Sequence, residues 1–185
     1  LPRFAAAQRY AGLEEAALEF VEHAEPDCLV RLIHTLPTVA EQGALGECKQ
    51  LLDIAFPTIA KAGQAGECVA PLRAVAAVAA AAKGADAAET FRPALVEALR
   101  QGPGKELPDT AAVIAQAGLA DRAVPLATAL ERFDMLAALA PGRAALHGSF
   151  GAGRIVANDG ETVRIAFARP SGPNMPSAHA SRTLT

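Results

Sequence analysis

The sequence predicts a mainly α-helical protein: an antiparallel solenoid of helices over residues 1–142, followed by a small β domain over residues 143–185. Three observations predict it. Alanine and leucine dominate a chain with 4% aromatic residues and no tryptophan, a composition suited to close helix-on-helix packing. A stretch of about twenty residues recurs three times, and repeats of this kind build stacked arrays. Past Gly142 the helical pattern gives way to alternation with a period of two.

Hydrophobic residues make up 51% of the 185 residues and charged residues 20%, enough apolar surface for a packed core and too much for a disordered chain. No uncharged apolar run approaches the ~18 residues that a membrane span requires. The alanine-rich stretch from Val75 ends at Lys83 and Gly84, so we expect no membrane span. The chain begins at Leu1 without a basic segment and apolar core of the secretory type, and we expect a piece of a longer, cytoplasmic protein.

The first helix falls on Gly12 to Glu25, where Leu13, Ala17, Leu18 and Val21 share one face. From Asp27 the repeat begins: DCLVRLIHTLPTVAEQGALG, ECKQLLDIAFPTIAKAGQAG, ECVAPLRAVAAVAAAAKGAD. The first two blocks share Cys28/Cys48, Leu32/Leu52, Pro37/Pro57, Thr38/Thr58, Ala40/Ala60, Gly43/Gly63 and Gly46/Gly66, and the third keeps Glu67, Cys68, Leu72 and Ala80. An acidic residue opens each block, where it complements the positive end of a helix, and glycines that tolerate the left-handed conformation close it. Each block therefore reads as one helix and one turn, and the short turn makes successive helices antiparallel. Pro37 and Pro57 predict a shared kink. Further helices follow at Ala87 to Gln101 and Asp109 to Leu139, the latter broken near Gly118. The total is roughly seven or eight helices, and two blocks make a unit of about 40 residues, closer to a HEAT-like than to a TPR-like repeat.

Cys28, Cys48 and Cys68 lie twenty residues apart, one per block, without the close pairing that clamps a metal. They read as small buried side chains, and an odd number of cysteines fits a reducing compartment. His23 and His34 read as surface or helix-end residues. We expect no metal and no cofactor.

Beyond Gly142, Ala145 to Ala157 forms a strand with bends or bulges at its glycines, Asn158-Asp159-Gly160 a turn, and Glu161 to Ala168 a second strand with Val163, Ile165 and Phe167 on one face. Two strands are marginal alone, so further strands are expected around Met175 to Ser177 and Arg182 to Leu184. Gly151-Ala152-Gly153 is half of a dinucleotide fingerprint, with Val156 where the third glycine belongs and a strand where a helix belongs. Ser149, in His-Gly-Ser-Phe-Gly, lacks the leading glycine of a nucleophile elbow. No pair of carboxylates marks a cleft. The sequence thus points to a protein that is not an enzyme.

Charge divides where the pattern divides. Residues 1–142 carry 12 Lys/Arg against 18 Asp/Glu, whereas the tail carries Arg143, Arg154, Arg164, Arg169 and Arg182 against Asp159 and Glu161.

The run His147-Gly-Ser-Phe-Gly-Ala-Gly-Arg-Ile155, the Asp-Gly turn, Val163-Arg-Ile-Ala-Phe167, Gly172-Pro-Asn-Met175 and Ala180 to Leu184 resemble the small Tudor-like barrel of long, helical-repeat-bearing relatives of the bacterial Gre transcript-cleavage factors. That resemblance spans about 40 residues of the tail. It implies a cytoplasmic bacterial transcription elongation factor whose partner is RNA polymerase. It does not imply cleavage, because the acidic-tipped coiled coil of Gre factors has no counterpart in this chain. The candidate partner-binding residues are His147, Phe150, Arg154, Arg164 and Arg169; the resemblance points to Phe150 and Arg154, with Phe167 serving either docking or the core, while Arg154, Arg164 and Arg169 are spaced along the tail as phosphate contacts would be. Two other readings stand beside it: phosphate contact by the basic tail with a nucleic acid, and a plain protein-binding scaffold on the concave face of the solenoid.

Overall fold

A computed structural model describes residues 2–23, 25–158, 162–167 and 179–183, with side chains described over 12–23, 25–158 and 162–167. The protein is mainly helical and ends in a small antiparallel sheet. Helix α1 covers Pro2–Glu22, α2 Pro26–Ile33, α3 Leu36–Glu41 and α4 Leu45–Lys61. A 3-10 turn at Ala65–Cys68 leads into α5, Val69–Lys83. Then come α6 Ala85–Glu89, α7 Arg92–Gln101, a 3-10 turn at Pro103–Glu106, α8 Thr110–Gln116 and α9 Leu126–Ala138. The strands are β1 Ala144–His147, β2 Gly151–Asn158, β3 Thr162–Phe167 and β4 His179–Thr183.

The sequence repeat is a repeated core face. The sixth position of each block is buried (Leu32, Leu52, Leu72), as are the tenth (Leu36, Phe56, Ala76) and the thirteenth (Val39, Ile59, Ala79). In the second and third blocks spacings of four and three put these on one helical stripe, in the first they are divided between α2 and α3, and all meet in a continuous core that also takes in Leu95, Leu99 and Phe133. Of the closing glycines three behave as the pattern requires, whereas Gly46 and Gly66 already belong to the elements that follow, α4 and the 3-10 turn. Gly43, Gly63 and Gly84 have φ of 84°, 77° and 89°, where a side chain would be strained.

The prolines do not share one kink. Pro57 lies inside the continuous helix α4, whereas the first block is two helices, α2 and α3, with Pro37 in the first turn of α3. The difference lies at the ninth position of the block. Thr35 turns its hydroxyl to the Leu32 carbonyl at 2.7 Å, competing with the helical ladder just ahead of the proline, while Ala55 offers no such bond. Pro71 sits in the first turn of α5, where a missing N–H costs nothing. The helix expected over Ala87 to Gln101 is likewise two, α6 and α7, meeting at Thr90 and Phe91.

By length and composition Ala65–Lys83 is apolar enough to cross a membrane, with a mean hydropathy of 1.4. Here one of its faces packs in the protein core through Cys68, Leu72, Val75, Ala76 and Ala79.

Two polar clamps hold the helices in place. Gln101 donates to the Ala60 carbonyl at 2.9 Å and accepts from the Ala65 N–H at 3.1 Å, fixing the end of α7 on the turn after α4. There Gly66 and Gly102 pass so closely that a Cβ on Gly66 would lie 2.6 Å from the Gly102 Cα. The second clamp is Arg92, 5% exposed and the one charged side chain buried among the described residues. Its guanidinium pairs with Glu89 through Nε and, at 2.8 Å, through Nη2. It also donates to the carbonyls of Gly118, Leu119 and Val124, and Glu89 in turn accepts from the Leu126 N–H at 3.0 Å. The connection between α8 and α9 is thus organised around one ion pair.

Cys48 and Cys68 are buried, Cys28 partly so. Burial pushes the Cys48 thiol up to about 11 and that of Cys68 up to about 12, and Cys48 donates to the Leu36 carbonyl at 3.4 Å. A hydrogen bond to Glu25, with burial and the charge of that carboxylate, raises Cys28 as well. DTNB at about pH 8 should therefore modify Cys28 slowly and the other two only after denaturation, because the thiolate is the reactive form. Rapid labelling of all three in the folded protein would contradict the packing.

The sheet is a four-strand antiparallel meander in the order β1-β2-β3-β4. What the sequence presents as one strand, Ala145 to Ala157, is a hairpin, because 148–150 turn and return the chain beside β1. A bulge follows between Ile155 and Ala157. The strand expected at Met175 to Ser177 and the Asp159-Gly160 turn lie outside the described residues, whereas β4 overlaps the one expected from Arg182. Gly142, at φ 94°, donates to the Ile155 carbonyl at 2.7 Å while the Ile155 N–H donates to the Arg143 carbonyl at 2.9 Å. This is the bond pattern of a bulge opened by a left-handed glycine, and it swings the chain from helix α9 into β1. Asn158 reaches back to the Leu139 carbonyl at 3.2 Å, and Arg143 pairs with Glu106 at 3.3 Å.

Candidate aromatic site on the sheet

Directly paired residues of adjacent strands share a face of the sheet. The register pairs His147 with Gly151, Ala145 with Gly153, Gly153 with Phe167 and Ile155 with Ile165, so all of these lie on one face. Ile155 and Val163 are its buried centre. Towards the β1–β2 turn, Gly151 and Gly153 leave a trough, and neighbouring rings fill it. A Cβ on Gly153 would lie 2.7 Å from the Ile165 Cγ2 and 2.8 Å from the Phe167 Cδ1. Phe150 folds back from the turn so that its ring centroid is 4.8 Å from His147 and 5.4 Å from Phe167, with His147 and Phe167 edge to face at 5.9 Å. Spacings of this size are those of mutually attractive rings. His147 Nδ1 accepts from the Ser149 N–H at 3.1 Å, bracing the turn that carries Phe150. Although held on two sides, Phe150 remains 54% exposed.

The residues that the sequence singles out are divided between the two faces. His147, Phe150 and Phe167 come together. Arg154 and Arg164 lie on the opposite face with Ala144, Leu146 and Ala166, and Arg169 lies outside the described residues. Arg154 also donates through Nε to the Gly142 carbonyl at 3.0 Å, so part of its role is to hold the bulge. The ring cluster joins residues up to twenty apart, and only the return of the hairpin reveals it.

A second concavity, missed in the sequence, lies in the helical part. It encloses about 630 Å³ between α4, α6, α7 and the connection before α9, with Phe56, Pro57 and Pro93 in its lining and Lys49, Asp53, Asp86 and Arg122 among its charges. Lys49 is paired with Asp53, which leaves mixed charge around an apolar floor. Its parts come from three segments, each unremarkable alone. Among the described residues no three His, Cys, Asp or Glu side chains gather where they could hold a metal ion.

The fold and the site define a helical protein that ends in a small sheet with an exposed, ordered cluster of rings. Comparison with known protein families, with curated proteins and with solved structures found no match.

Proposed function

We propose that this chain is a non-catalytic interaction module of a bacterial, cytoplasmic, Gre-related transcription factor. In this reading the helices form a solenoid that carries a Tudor-like β domain, and the His147–Phe150–Phe167 cluster docks on RNA polymerase. The observation that carries it is Phe150: a large ring more than half exposed, yet fixed by two aromatic neighbours and a braced turn. Anchors of that kind lose little freedom on binding, which is why exposed, ordered aromatics concentrate at protein interfaces. The resemblance of His147 to Ile155 and Val163 to Phe167 to the Tudor-like module supplies the identity of the partner. Nucleic-acid binding through the tail is the weaker alternative, since Arg143 is paired with Glu106 and only Phe150 and Phe167 accompany the tail's arginines as aromatics on which bases could stack.

The test is direct binding of the whole chain to purified bacterial RNA polymerase, compared with the Phe150→Ser variant. Loss of one anchor of this size should weaken binding at least about ten-fold, while the helical core, which does not include the ring, stays folded. Undiminished binding by Phe150→Ser would remove the cluster from the interface. If the unaltered chain does not bind polymerase, the scaffold reading takes the lead, with the concavity around Phe56 and Pro93 as its binding surface.

A further inference from the structure

We propose that the free edge of β1 takes up an extended, acidic and apolar segment of a protein partner as an added antiparallel strand. This rests on the reading of the chain as a protein-binding module, but on a different surface from the ring cluster.

The alternation of the ladder shows which backbone groups are available. In an antiparallel pair, residues that exchange hydrogen bonds alternate with residues whose N–H and C=O point away from the neighbouring strand. The bond from the Ile155 N–H to the Arg143 carbonyl fixes the phase. The Arg143 carbonyl and the backbone groups of Ala145 and His147 therefore face β2, and those of Ala144 and Leu146 point out from the sheet. In the order β1-β2-β3-β4, β1 is an edge, and among the described residues no strand lies on its outer side.

Edges of this kind invite pairing unless they are blunted by charge, proline, a bulge within the strand or a covering segment. Within Ala144–His147 there is no charged residue, no proline and no bulge. Leu146 stands 85% exposed, the most open large apolar side chain among the described residues, and Val156 is 48% exposed.

Charge selects the kind of strand. Leu146 shares its face with Arg154 and Arg164, both exposed. Among the described residues from 143 to 167 there are three arginines and no carboxylate; Asp159 and Glu161 fall in the connection outside them. A second copy of the chain pairing through β1 would bring its own Arg154 and Arg164 to this face, so like charge disfavours self-association. A strand alternating apolar and acidic residues would set its carboxylates near Arg154 while main-chain bonds form to Ala144 and Leu146, which is how an added strand obtains both affinity and register.

The experiment titrates the full chain, labelled with nitrogen-15, with a ten-residue peptide alternating Glu and Val, and in parallel with its Lys-Val counterpart. Binding of the acidic peptide at least about ten-fold tighter than the basic one, with slowed hydrogen exchange at the amides of Ala144 and Leu146, is the expected result. Leu146→Pro removes an N–H that β2 does not use, and should abolish binding with the β1–β2 ladder intact; Leu146→Ala retains the main-chain bonds and part of the affinity. Equal binding of both peptides, protection at other amides, or no binding of the acidic peptide would overturn the proposal. Phe150→Ser should not alter peptide binding, so failure of the ring cluster as the polymerase contact and failure of the edge are read separately.

Discussion

Replacing Arg92 with leucine should lower the stability of the protein by about 3 kcal/mol, read from urea unfolding of the two chains side by side. Removing one member of a buried pair typically costs about 3–5 kcal/mol, because its partners stay behind without compensation. Here those partners are Glu89 and the carbonyls of Gly118, Leu119 and Val124. The lower end applies because the Glu89 side chain is 24% exposed and can recover some water. The sign of the pH dependence follows from the same pair. The Arg92 guanidinium holds the Glu89 carboxyl below its ordinary 4.5, so the stabilisation is complete above that value and disappears as the pH falls through the lowered one. The gap between the two proteins should therefore narrow in acid. A constant gap down to about pH 3 would show that Glu89 contributes nothing through its charge.

Gly66→Ala should cost about 2–3 kcal/mol, whereas Gly46→Ala should be neutral or stabilising by up to about 1 kcal/mol. The two glycines occupy the same position in consecutive blocks. Around Gly46 nothing lies within 4 Å of an added Cβ, and it sits in the first turn of α4, where alanine is the better helix former. At Gly66 the methyl group would meet only backbone, the Gly102 Cα at 2.6 Å, its nitrogen at 2.8 Å and the Gln101 carbonyl carbon at 2.9 Å. Backbone cannot rotate out of the way, and the Gln101 clamp opposes separation of the two segments. Gly102→Ala makes the same clash from the other side, so the double variant should lose less than the sum of the two. Thermal unfolding of the four variants gives the answer, and equal effects at Gly46 and Gly66 would refute the close approach.

Much of this protein follows from local pattern. The leucine shared by the blocks of the twenty-residue repeat, Leu32, Leu52 and Leu72, falls in the core each time, since an apolar residue recurring at one position of a helical block marks its buried face. The closing glycines followed from φ, a property of single residues, and the change of period after Gly142 marked the start of the sheet. His147 and Phe150 stood out in the sequence only through the resemblance of their run to a Tudor-like module, not through any turn read between them.

What local pattern left undecided depends on distant neighbours. The strand read as continuous from Ala145 folds into two because the positive φ of Gly142 and Gly151 sets the bulge and the turn. Glu89 and Arg92 look like any pair three residues apart on a helix surface, and only the carbonyls brought in by residues 118–124 make theirs a buried clamp. Composition and spacing determined that helices fill the chain up to Gly142 and strands follow it, because torsional preference and apolar periodicity act within a few residues. Which of two identical glycines is indispensable, which edge stays open and which rings meet were decided only by the tertiary structure, because steric exclusion and desolvation act between segments far apart in the chain.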